Sequence, residues 1–127
     1  MIEHVSLPVA DARISRVFYE RVLPCLGYRV ANESPGEIGF TEDGYRDFWV
    51  VEQEKVEPVH VSLRAPEKEA VNTFHDVAVR AGATDNGAPG YQDYIPGWYA
   101  ASVLDPDGHN IEAVWFEEVR ESDWSKE

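Results

Sequence analysis

Apolar and polar residues alternate over Ile2–Val9 and again over Val59–Arg64, the two-residue period of strands with one covered face. In the first run Val5, Leu7 and Val9 form the apolar side, and His4 and Ser6 share the other with Ile2. In the second, Val59, Val61 and Leu63 are the covered side, and His60, Ser62 and Arg64 point away. After each run the period lengthens to that of a helix. Ile14, Val17, Phe18, Val22 and Leu26 make one stripe, and Ala70, Val71, Phe74, Ala78 and Ala81 make the other. Asp11 is placed to cap the first helix, because its carboxylate can accept from free N–H groups of the first turn. Pro66 suits the first turn of the second helix, where no N–H is needed, and Gly27 and Gly82 stand near the helix ends.

Short strand-like runs follow each helix. In the first half they are Tyr28–Asn32, Glu37–Thr41 and Asp47–Gln53; in the second they are a run near Thr84, then Trp98–Leu104 and Asn110–Phe116. Turn residues part them at Ser34-Pro35-Gly36, Asp43-Gly44, Asn86-Gly87 and Asp105-Pro106-Asp107-Gly108. The halves are also alike in letters. His4-Val5-Ser6-Leu7 returns as His60-Val61-Ser62-Leu63, and the same offset of 56 residues (60 − 4 and 74 − 18) joins Phe18 to Phe74. Two matches in one register indicate an internal duplication. The chain is therefore expected to be one domain, with modules over 1–55 and 58–116 and a polar tail over 117–127 in which Trp124 could dock.

A chain of 127 residues with 43% apolar content can bury a core of its own. Its net charge of −13 repels phosphate backbones and anionic lipid heads, so neither nucleic acid nor membrane is an expected partner. Cys25 is the only cysteine, so no internal disulfide can form. The N-terminus has no basic, apolar leader and no apolar run is long enough to span a bilayer, so a cytoplasmic location is expected.

Glu112 shares a strand face with Val114 and Phe116. A carboxylate half-buried among such neighbours costs several kcal/mol unless it is paired or bound to a metal. His4 and His60 lie on the uncovered faces of the two duplicated strands and are the candidate partners. A single strand histidine is more often a hydrogen-bonded or surface residue. Two at equivalent positions of a repeat, with a glutamate on an apolar face, make a shared divalent metal a candidate beside that plainer reading. His75 and His109 read as non-ligands: His75 lies on the polar side of its helix and is expected to face solvent, and His109 sits in the Asp-Gly-His turn, where a structural role is expected.

The opening His4-Val5-Ser6-Leu7-Pro8-Val9 belongs to a wider pattern. It is accompanied by Phe18-Tyr19-Glu20, Leu26-Gly27-Tyr28, His60–Pro66 and the closing Leu104–Glu112 segment. From Ile2 to about Phe116 the pattern resembles the glyoxalase, bleomycin-resistance and extradiol-dioxygenase (vicinal oxygen chelate) superfamily. The resemblance implies an α+β fold of two tandem βαβββ modules, forming a curled mixed β-sheet cup with helices on the outside. It implies metal ligands from the first and last strands of the modules, which here are His4, His60 and Glu112. The fourth family position falls on Trp49, whose side chain has only an N–H donor and cannot ligate, which argues against glutathione-dependent glyoxalase activity. Two histidines and one carboxylate suit Fe, Mn, Ni or Zn and leave positions open for substrate.

The implied activity is that of a metal-dependent lyase, isomerase or dioxygenase acting on a small oxygenated metabolite. The alternative is a non-catalytic small-molecule binding or antibiotic-resistance protein that sequesters its ligand. A homodimer is expected on the same ground. Trp49, Arg64, Tyr99 and Tyr94 are the candidate substrate contacts, the last on a loop, Gly90–Gly97, that could close as a lid. For Arg64 an ion pair with a surface acid is the competing role. No general acid or base stands out.

Overall fold

Hydrogen bonding sorts the strands into two separate four-stranded sheets, one per half of the chain. The computed structural model describes residues 1–93 and 95–117, so the expectations for Tyr94 and Trp124 fall outside the described residues. The first module comprises β1 (Val5–Val9), α1 (Ala12–Val22), a 3₁₀ turn (Leu23–Leu26), β2 (Arg29–Ser34), β3 (Glu37–Thr41) and β4 (Arg46–Glu52). The second comprises β5 (His60–Arg64), α2 (Lys68–Arg80), β6 (Thr84–Tyr91), β7 (Trp98–Leu104) and β8 (Asn110–Phe116). The orders β1-β4-β3-β2 and β5-β8-β7-β6 are the same in both. In each, the first strand runs parallel to the last and the other neighbours are antiparallel. The expected fold, two tandem βαβββ modules with mixed, unclosed sheets, is the one observed.

Each sheet packs one face on the helices. Leu7, Val9, Phe40, Phe48 and Val50 meet Phe18, Tyr19 and Val22 of α1, and Leu63, Val103, Ile111 and Ala113 meet Val71, Phe74 and Ala78 of α2. Each fully covered large side chain contributes roughly 1.5–3 kcal/mol. The ring of Tyr19 stands edge-on to Phe48, with centroids 5.3 Å apart. Asp11 caps α1 as expected, accepting from the N–H groups of Arg13 at 2.9 Å and Ile14 at 3.3 Å.

Three expectations need correction. Ile14 and Val17 are 56% and 59% exposed, and the buried stripe of α1 is Ala12, Ser15, Phe18, Tyr19 and Val22. Ser15 and Tyr19 find polar partners inside, so the covered face is rotated relative to the apolar letters. Asn86-Gly87 lies within β6 rather than at a turn, where the register with β7 slips on both sides of Gly87. His75 is largely covered, only 16% exposed at the side chain, and bonds Asp85 at 2.9 Å.

The turn before β8 joins the modules. Tyr19 donates its buried hydroxyl to Asp105, and Asp105 Oδ1 accepts the N–H groups of Asp107 and His109, both at 2.9 Å. Asp107 in turn accepts the Ala10 N–H at 2.9 Å. Nδ1 of the fully buried His109 accepts from Val59 N–H at 3.0 Å. Its Nε2 is therefore the protonated nitrogen and donates to the Pro8 carbonyl at 2.6 Å. Among the described residues no helix is long and apolar enough to cross a membrane.

Candidate metal centre

The face of the second sheet turned away from the helices carries most of the candidate donors. β8 is flanked by β5 and β7, and Glu112 stands in register with Ser62 on one side and Ser102 on the other. Its side chain is 17% exposed, and its Oε1 accepts the Ser62 hydroxyl at 2.9 Å. The same oxygen lies 3.4 Å from His60 Nε2. Two donors of a tetrahedral ion bound at about 2.1 Å are themselves about 3.4 Å apart, so this pair fits two positions of one coordination sphere. Beyond them on the same face, the Arg64 guanidinium lies 4.4 Å from the Phe116 ring centre, and Trp98 stacks on Phe116 at 5.7 Å and 16°.

The first sheet presents the equivalent face. Ser6 is in register with Trp49, and Trp49 with Gly39. The indole crosses the Gly39 backbone so closely that a Cβ there would come within 2.8 Å of the ring. Trp49 Nε1 donates to the Arg46 carbonyl at 2.9 Å, so its one polar group is already engaged. His4 precedes β1 and its Nδ1 meets the Glu3 carboxylate. It borders a hollow of about 450 Å³ with Ser6, Glu37, Tyr45, Arg46 and Trp49.

One chain thus brings together His60 and Glu112 but leaves His4 on the other sheet. Among the described residues no three His, Cys, Asp or Glu side chains gather closely enough to hold an ion. The physical reason is the separation into two sheets: repeat symmetry gives each its own half of the donor set. Tyr99 is a correction. It faces α2, bonding Asn72 at 2.5 Å and meeting Tyr91 at 5.1 Å, with Lys68 Nζ 4.8 Å from its ring. Antiparallel register pairs Tyr99 with Trp115 and Trp98 with Phe116, so Trp98, not Tyr99, shares the Glu112 face. Sequence reasoning missed Trp98, although the alternation that placed Glu112 carried the signal. Tyr91 belongs to the same helix-side cluster and does not cover the open face.

A family model, the Glyoxalase/Bleomycin resistance protein/Dioxygenase superfamily, matches residues 1–113, and the chain belongs to that superfamily. Among solved structures, a glyoxalase/bleomycin resistance protein from Albidiferax ferrireducens T118 is 23% identical with a TM-score of 0.79, covering 91% of this chain and 98% of its own. A glyoxalase/bleomycin resistance protein/dioxygenase family enzyme from Burkholderia phytofirmans PsJN is 22% identical at a TM-score of 0.73, with coverage of 91% and 98%. A glyoxalase-related enzyme from Fulvimarina pelagi is 17% identical at 0.75, covering 98% of this chain and 95% of its own. At these identities the likeness is one of fold. No curated protein matches the chain significantly.

Proposed function

We propose that the protein is a metal-dependent lyase, isomerase or dioxygenase of small oxygenated metabolites, with a divalent ion held by His4, His60 and Glu112. The observation that carries the reading is the pair His60 Nε2 and Glu112 Oε1, 3.4 Å apart on an exposed sheet face, with Ser62 fixing the carboxylate. Because His4 stands apart from that pair within one chain, we assign the complete site to a homodimer. His4 of one copy then serves the His60 and Glu112 of the other. The bound ion would polarise a carbonyl or enolate oxygen of the substrate. Trp49 forms an apolar wall whose N–H is spent internally, and Arg64, two positions beyond Ser62, adds positive charge for an anionic substrate.

The second reading, ligand sequestration without chemistry, draws on the lack of a third donor within one chain's described residues. One experiment separates the two. Protein purified under anaerobic conditions is measured for metal content and for mass in solution. The catalytic reading expects about one ion per chain in a dimer, with metal affinity falling at least tenfold in His4→Ala and in His60→Ala. A metal-free protein, or one whose metal survives both substitutions, sinks it.

A further inference from the structure

The duplication creates two equivalent seams between the modules, and only one is closed. At the closed seam Asp105 and Asp107 bind Tyr19 and the Ala10 N–H, and His109 binds Pro8. Register makes Ser6–Trp49 the counterpart of Ser62–Glu112, which fixes the correspondence at the other seam. There Glu42 stands for Asp105, Arg64 for Pro8, Pro66 for Ala10 and His75 for Tyr19. Pro66 has no N–H to donate, and His75 turns to Asp85 instead. The staple cannot form. What remains is a cleft of about 500 Å³ bordered by Tyr28, Glu42, Asp47, Arg64, Pro66 and Trp115.

The charges in this cleft are separated. Arg64 forms no ion pair among the described residues, although Glu42 and Asp47 border the same space. Asp47 Oδ1 has no hydrogen-bond partner among them either, and no cation among them pairs with Glu42 or Asp47. Burial, then the hydrogen bond and charge of Asp47, push the Tyr28 hydroxyl well up, which keeps it a donor to that carboxylate. Arg64 rests one face of its guanidinium near Phe116 and keeps its N–H edges for a carboxylate. We propose that this open seam binds a small zwitterion of amino-acid size, its carboxylate on Arg64, its ammonium toward Glu42 and Asp47, and its side group against Trp115. A dipolar ligand matches a cleft bordered by a cation and by carboxylates that do not pair with it. The proposal uses neither His60 nor Glu112; it shares only Arg64 with the metal reading, and a chelator in the test keeps the two apart.

The test is titration calorimetry on the full chain in the presence of a chelator, with each of the twenty common L-amino acids to about 10 mM. At least one is expected to saturate. The amine and the carboxylic acid that each retain one half of its charge should bind at least tenfold more weakly, and so should the protein carrying Arg64→Met or Glu42→Gln. Glu42 is exposed, so its variant keeps the test sound should Arg64→Met fail to fold. No saturation by any amino acid, equal binding of the one-charge analogue, or indifference to Glu42→Gln overturns the proposal.

Discussion

His109, a non-ligand in the sequence reading, acts as architecture. It belongs to the Leu104–Glu112 segment that most marks the family resemblance, yet it is fully buried and both ring nitrogens are occupied by backbone, of Pro8 in the other module and of Val59 just before β5. Tyr19 and Asp105 are similar: the ring is held among Phe18, Phe40 and Phe48, and its hydroxyl spends its proton on a carboxylate that is 5% exposed. Removing that hydroxyl leaves a buried acceptor one donor short. Tyr19→Phe is therefore expected to lower unfolding free energy by about 1–3 kcal/mol in urea titrations at neutral pH. His109→Ala should cost more, about 2–5 kcal/mol, because it strands both the Val59 N–H and the Pro8 carbonyl and leaves a cavity. A variant at either position as stable as the parent contradicts the stapling role.

At the scale of single elements, strand alternation proved more legible than helix phase. The letters of the first strand and of β5 assign His4 and His60 to uncovered faces and those of β8 group Glu112 with Val114 and Phe116, and register sets Ser6 beside Trp49 and Ser62 beside Glu112. The same rule, carried one strand further, would have turned Tyr99 inward and Trp98 outward. That step needs the β7–β8 register, which depends on the length of the turn at Asp105–Gly108 and is not written in either strand alone. Helix α1 misled for a different reason. Its covered stripe contains Ser15 and Tyr19, whose polar atoms find Asp107 and Asp105 far along the chain, and no local pattern announces such partners. The two phases predict opposite mutational outcomes. Ile14→Lys should change stability by no more than about 0.5 kcal/mol. Ser15→Leu, at a site 1% exposed, should cost about 1–3 kcal/mol through overpacking. Denaturant melts of the pair decide it, and the reverse order would restore the stripe read from the apolar letters.

For the whole molecule, the repeat made the modules legible, but alternation says only which face a residue takes, never which other sheet that face will meet. The closed seam is where the two halves become one body, and its chemistry should show in how stability depends on pH. Burial first, and then the nearby Asp105 carboxylate, raise the Tyr19 hydroxyl well above its ordinary value of 10.0. Burial likewise raises Cys25 above 9.0, against an opposing backbone hydrogen bond, and Tyr28 is raised in the same direction. In the unfolded chain these groups release their protons at ordinary values, so at high pH the unfolded state binds fewer protons than the folded one. Stability is then complete below about pH 9 and falls as pH climbs through the ordinary cysteine and tyrosine values toward the raised ones. For Tyr19, which is wholly buried, the slope approaches about 1.4 kcal/mol per pH unit. Urea titrations from about pH 8 to about pH 11 should show this decline. Tyr19→Phe, although less stable at neutral pH, should decline less steeply, because phenylalanine has no proton to release. The two stability curves should therefore converge as the solution becomes alkaline, whereas parallel curves would mean that the Tyr19 hydroxyl titrates alike in the folded and unfolded chain.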